Sequence, residues 1–155
     1  MNTVGILLII IALIMIYPFF GELIVLDQDE VEVDISFSEA CFISIAGDDC
    51  GPINDQITDT LPNFYTVKKL FIVGYSLIII SIFMSFYNPA KRFLFIPVIL
   101  AGIVCLIAPI ILLNSALCLG TGVCSNGYRL GSIVQFTGAG LAIALGAYCL
   151  AFKRA

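Results

Sequence analysis

The chain has 155 residues, of which 61% are hydrophobic and 12% charged, and a mean hydropathy of +1.11; soluble domains carry roughly a quarter charged residues, so the composition is that of a membrane protein. It contains no His, which removes the usual general base, the commonest metal ligand and every His-containing triad. A net charge of −4 with a pI near 4.5 argues against nucleic acid as a partner, because that binding depends on clustered Lys and Arg. No enzyme activity, metal or cofactor is expected.

Residues 1–21 carry no Asp, Glu, Lys or Arg and have the length of about 20 residues that a helix needs to cross a bilayer. They lack the basic start and small-x-small cleavage site of a signal peptide, so the segment is expected to be a retained anchor and the first span.

Residues 22–67 form the first outer loop. All eleven acidic residues of the chain lie between Glu22 and Asp59. Within the loop, Val31-Glu32-Val33-Asp34-Ile35-Ser36-Phe37 alternates apolar and polar with period two, as a half-buried strand does. Residues 41–45 and 23–26 read as further strands, and Ala46-Gly47-Asp48-Asp49 as turn chemistry. A small antiparallel sheet follows. Its carboxylates, Glu32, Asp34, Glu39, Asp48 and Asp49 among them, have two readings: a solvated face, or a charge-selecting or docking face whose summed field attracts cations and rejects anions. Asp59 or Thr60 is expected to cap a short helix at the membrane surface, with Pro62 in its first turn.

The second span is residues 68–87, with Lys68 and Lys69 snorkelling at its outer end. A tight basic turn, residues 88–92, leads to the third span, residues 93–113. There Pro97 and Pro109 kink the helix or mark its end, and neighbouring helices can satisfy the freed carbonyls. The second outer loop, residues 114–129, holds Cys118 and Cys124. The fourth span, residues 130–152, places Gly138, Ala142 and Gly146 four residues apart, giving a smooth face for helix packing inside the bundle or between copies. Cys149, four residues before Lys153, is a candidate for palmitoylation. Residues 153–155 form the tail. No Asp, Glu, Lys or Arg lies within the apolar cores of these spans, which argues against a proton-coupled transporter, a pump or a voltage sensor.

Lys91, Arg92, Lys153 and Arg154 lie on one side of the membrane in this arrangement, and Lys68, Lys69 and Arg129 on the other. The short basic segments 88–92 and 153–155 are where the positive-inside rule acts most strongly, so both termini are expected in the cytoplasm. Cys41, Cys50, Cys118 and Cys124 then all face an oxidising compartment in which they can pair.

Four spans, a large first outer loop with two cysteines, a shorter second loop and a basic inner turn resemble the claudin, peripheral myelin protein and calcium-channel gamma-subunit superfamily over essentially the whole chain. Local matches are the Cys41 to Cys50 spacing, Leu61-Pro62 followed by Lys69, and Tyr128-Arg129-Leu130-Gly131 leading into the Gly/Ala-rich fourth span. The resemblance implies a Cys41–Cys50 disulfide. The chain departs from the pattern in having no Trp, with Phe37 near the place of the family's second Trp. Cys118 and Cys124 are candidates for a second disulfide that the usual claudin lacks.

The expected fold is an all-α membrane class: a four-helix transmembrane bundle with a small extracellular antiparallel β-sheet, in one domain at the plasma membrane. Two functions fit it. One is a protein of cell–cell contacts, a paracellular barrier or cation-favouring pore, contacting the lipid bilayer and copies of itself in cis and trans. The other is an accessory subunit or membrane-organising partner of a channel or adhesion receptor.

Overall fold

The computed structural model describes residues 3–28, 31–44, 47–53, 59, 61–87, 95–114 and 124–152. Four apolar stretches become α1 (Thr3–Ile16), α2 (Phe64–Tyr87), α3 (Ile96–Asn114) and α4 (Leu130–Phe152). A helix satisfies its own backbone polar groups, so it is the structure that such water-excluding sequence favours. Three of the helices, α2, α3 and α4, are long and apolar enough to cross a membrane. Only 28–39% of their apolar windows is buried within the protein; most of the apolar surface therefore faces outward, the reverse of a water-facing helix. α1 is shorter and continues as a 3-10 turn at Tyr17–Phe19.

The helices form a ring in which α1 packs on α2 and α4, while α3 packs on the same two. Buried positions recur at helical spacing: Phe64, Val67, Phe71, Gly74 and Ile78 mark one face of α2. α2 begins at Phe64 rather than at 68, because the Leu61 carbonyl accepts from Phe64 N at 2.9 Å and the Asn63 carbonyl from Val67 N at 2.9 Å. Lys68 and Lys69 lie in the second turn of this helix. The surface helix expected near Asp59 and Thr60 lies largely outside the described residues, as do the inner turn, Cys118 and the tail.

At the end of the bundle formed by the C-terminus of α1 and the N-termini of α2 and α4 sits a five-stranded sheet. Its strands are β1 (Ile24–Gln28), β2 (Val31–Ile35), β3 (Glu39–Ser44), β4 (Gly47–Pro52) and β5 (Cys124–Tyr128), in the order β4-β3-β2-β1-β5 and antiparallel throughout. Two features differ from expectation. Gly47, Asp48 and Asp49, read as part of a turn, instead open strand β4, whose first residue, Gly47, has φ 131°, a conformation that favours glycine. The loop between α3 and α4 contributes β5, so the two loops on this side of the bundle build one sheet.

Sheet and bundle meet at the β2–β3 turn. Ser36 Oγ accepts from the amides of Ser38 (3.2 Å) and Glu39 (3.0 Å), and Ser36 N donates to the Glu39 carbonyl at 2.9 Å. That tight turn drives Phe37 into the helices, where it is fully buried. Its ring lies 5.0 Å from Phe71, 6.0 Å from Phe19 and 6.2 Å from Phe64.

Candidate functional site

Side chains alternate across a strand, so the register sorts the loop residues onto two faces. Glu32 stands opposite Asp27 and Ile43, Ile43 opposite Asp48, and Asp34 opposite Val25 and Cys41. Asp27, Glu32, Asp34, Glu39 and Asp48 therefore share one face with Cys41 and Cys50. The other face carries Ile24, Leu26, Val33 and Ile35, all buried and continuous with the bundle core. Asp49 stands opposite Phe42, on this apolar side at the exposed edge strand, away from the other carboxylates. Of the five acidic residues singled out from sequence, four share a face and Asp49 does not.

Cys41 and Cys50 are directly opposed in β3 and β4 and form a disulfide. The bond closes the outer edge hairpin, which has little apolar surface to hold it: Gly47, Asp48, Asp49 and Cys50 are all exposed. The side chain of Cys124 and the whole of Cys118 lie outside the described residues.

The polar face is not uniformly wet. Asp34 is 4% exposed, and its partner comes from far along the chain: Arg129 Nε donates to Asp34 Oδ1 at 2.8 Å, while a terminal nitrogen of the same guanidinium pairs with Glu32. Arg129 follows β5 and reaches over β1 to β2. Gly127, on the same face and opposite Val25, adds no side chain to that path. Burial, and secondarily the Glu22 carboxylate, pushes the Asp34 carboxyl up to about 6 even with the guanidinium beside it.

Backbone contacts hold Arg129 in place. Its amide donates to the Leu23 carbonyl at 2.9 Å, Gly131 N to the Glu22 carbonyl at 2.7 Å, and Ser132 Oγ to the Leu23 carbonyl at 2.5 Å. The Gly131 bond satisfies one of the donors that the start of α4 leaves without a helical acceptor. A Cβ at Gly131 would collide with the Glu22 carbonyl oxygen, so glycine is what allows this approach.

Gly138, Ala142 and Gly146 face inward. A Cβ on Gly138 would meet Met15 of α1; one on Gly146 would meet Ile99 and the Phe95 carbonyl; Ala142 is fully buried. This smooth face packs the bundle itself. A second set of small residues, Gly140, Ala144 and Ala147, faces away from the other helices. Cys149 is buried, so an acyl chain there requires a different seating of the end of α4.

Sequence reasoning missed β5 and the Asp34–Arg129 pair. Cys-Ser-Asn-Gly-Tyr lacks both alternation and β-branched residues, so no strand signal exists in it. The available hint was Arg129, a solitary cation at the head of an apolar span, facing a loop with eleven carboxylates. Among the described residues, no three His, Cys, Asp or Glu side chains converge as a metal site. No protein-family model and no curated protein matches this sequence.

Proposed function

We propose that the chain is a claudin-like integral membrane protein of cell–cell contacts in the plasma membrane, acting without catalysis as a paracellular barrier or cation-favouring pore. The observation that carries this reading is the alignment of Asp27, Glu32, Glu39 and Asp48 on one sheet face, raised on a bundle whose outward surface is apolar. Such a face concentrates cations by its summed field. α1 with its 3-10 extension is about 27 Å long at the standard rises, close to the hydrocarbon thickness of roughly 30 Å, and serves as the fourth span. Both termini then lie in the cytoplasm and the sheet outside, where the Cys41–Cys50 bond is chemically at home.

The test is a charge-neutralising variant in cells that form tight sheets. Replacing Asp27, Glu39 and Asp48 by their amides is expected to lower sodium-over-chloride permeability, whereas Asp49→Asn, on the opposite face, has the smaller effect. Unchanged dilution potentials in the triple variant reject the pore reading.

A second reading, an accessory subunit or membrane-organising partner of a channel or adhesion receptor, is favoured by the outward small residues Gly140, Ala144 and Ala147. A Cys at position 144 that cross-links to a different membrane protein supports it, and cross-links to copies of the same chain alone speak against it.

A further inference from the structure

Strand β4 is held differently from the rest of the sheet. Gly47, Asp48, Asp49, Cys50 and Pro52 are all exposed, and a Cβ placed on Gly47 or Gly51 would meet nothing within 4 Å. Packing resumes at Ile53, which lies against the apolar core. What ties β4 down is its backbone ladder to β3, the Ser44 Oγ bond to the Gly47 carbonyl at 3.2 Å, and the Cys41–Cys50 bond. The two sulfurs of that bond are not equivalent. A thiolate displaces one sulfur from another in line, so it arrives on the side of the attacked sulfur that faces away from its partner. Behind Cys41 lies β2, where Asp34 stands directly opposite and carries the Arg129 guanidinium. Behind Cys50 no further strand follows among the described residues, because β4 is the edge of the sheet. Cys50 is exposed and Cys41 half-buried.

We propose that the Cys41–Cys50 bond is a thiol-exchange site, opened at Cys50 by a small uncharged or cationic thiol, and that its opening releases β4 from the sheet as a flap hinged at Ile53. The thiolate sulfur bonds to Cys50 Sγ as the protein disulfide breaks, and Cys41 leaves with the electron pair. A second thiolate then bonds to the sulfur of the first, forming a small-molecule disulfide and freeing Cys50. Two thiols are thereby oxidised to one disulfide, the protein bond gains two electrons, and the protons shed by the thiols end on Cys41 and Cys50. Charge selects the attacker: Asp48 precedes Cys50 on the same face and Glu39 stands diagonally across on β3, so their summed field opposes an anionic thiol. Release carries Asp48 away from the row it shares with Asp27, Glu32 and Ile43, while β1, β2, β3 and β5 keep their other partners. The exchange site concerns the edge strand and does not rest on the proposed barrier or pore.

The test treats the full wild-type chain in lipid nanodiscs with cysteamine, 2-mercaptoethanol or mercaptoethanesulfonate, thiols that share a scaffold and differ in charge. At equal thiolate concentration the rate of opening is expected to fall from the cationic to the uncharged to the anionic thiol, with a spread that narrows in salt. Peptide mapping under non-reducing conditions is expected to find the mixed disulfide on Cys50. After complete reduction and blocking with iodoacetamide, amide hydrogen exchange of β4 is expected to quicken at least about tenfold, with β1 and β2 unchanged. Cys41→Ser with Cys50→Ser, which needs no reductant and carries no blocking group, is expected to show the same fast exchange in β4. An adduct on Cys41, a flat or reversed order of rates, a bond that opens only once helical circular dichroism is lost, or β4 protection unchanged by reduction overturns the proposal.

Discussion

Gln135 on α4 supplies the hydrogen bond that Pro109 withholds within α3. In a regular helix the Cys105 carbonyl accepts from the amide of residue 109, but a proline there has no N–H; instead Gln135 Nε2 donates to the Cys105 oxygen at 2.8 Å. Gln135 is fully buried, and its amide lies where a free carbonyl in an apolar bundle has no water to turn to. Pro97, by contrast, stands in the first turn of α3, where a missing N–H costs nothing.

This relationship predicts coupling. Gln135→Leu is expected to destabilise the bundle by about 0.5–2 kcal/mol, and the loss is expected to shrink toward zero in a Pro109→Ala background, where the helix satisfies Cys105 itself. A double-mutant cycle of unfolding in mixed micelles measures it. Equal losses in both backgrounds contradict the substitution of one donor for the other.

Phe37 joins sheet to bundle through three aromatic rings. Phe37→Ala is expected to cost about 3–5 kcal/mol. The damage should show first as faster proteolysis of the sheet while helical circular dichroism persists, because the helices retain their own contacts. Co-operative loss of both signals at unchanged midpoint argues against this junction role.

The disulfide closes a hairpin with little core beneath it. Cys41→Ser with Cys50→Ser is expected to lower stability of the outer sheet by roughly 2–3 kcal/mol, as expected for a short closed loop, and to reduce delivery of the protein to the cell surface. Surface biotinylation reads the second effect. Recovery of the wild-type protein with both thiols unoxidised under non-reducing mass spectrometry excludes the bond.

Asp34 also sets a pH dependence of overall stability, and the sign is unusual for an acidic residue. Its folded value of about 6 lies above the ordinary value of 3.8, so between these limits the folded state holds more protons than the unfolded one. Stability is then greatest below about 4 as far as this group is concerned. It falls as the pH rises through 6, by on the order of 3 kcal/mol in total. Asp34→Asn is expected to remove that slope, as measured by thermal unfolding across pH 4–8. An acid-labile wild type whose instability is abolished by the same variant has the opposite sign and contradicts the assignment.

Much of this architecture is written in the sequence because it depends on local periodicity and composition. Four long apolar stretches without carboxylates can only satisfy their backbones as helices, and the alternation from Val31 to Phe37 makes a strand with one apolar face. The start of α4 at Leu130 and the end of α2 at Tyr87 are legible for the same reason, since polar residues or a proline interrupt the apolar run there.

What depended on tertiary structure is everything decided by register and by contacts distant in sequence. Strand β5 has no intrinsic preference for a sheet; it exists because β1 offers a free edge and α4 is anchored by the Glu22 and Leu23 carbonyls. Whether Asp48 and Asp49 act together is a matter of pleat, which sends adjacent residues to opposite faces. The inward use of Gly138 and Gly146 depends on where Met15 and Ile99 fall on other helices. The fate of Asp34 depends on an arginine 95 residues away. Sequence alone marked where charge accumulates; only the folded chain determined which carboxylate is buried, and burial is what turns an ordinary acidic residue into one that responds to pH.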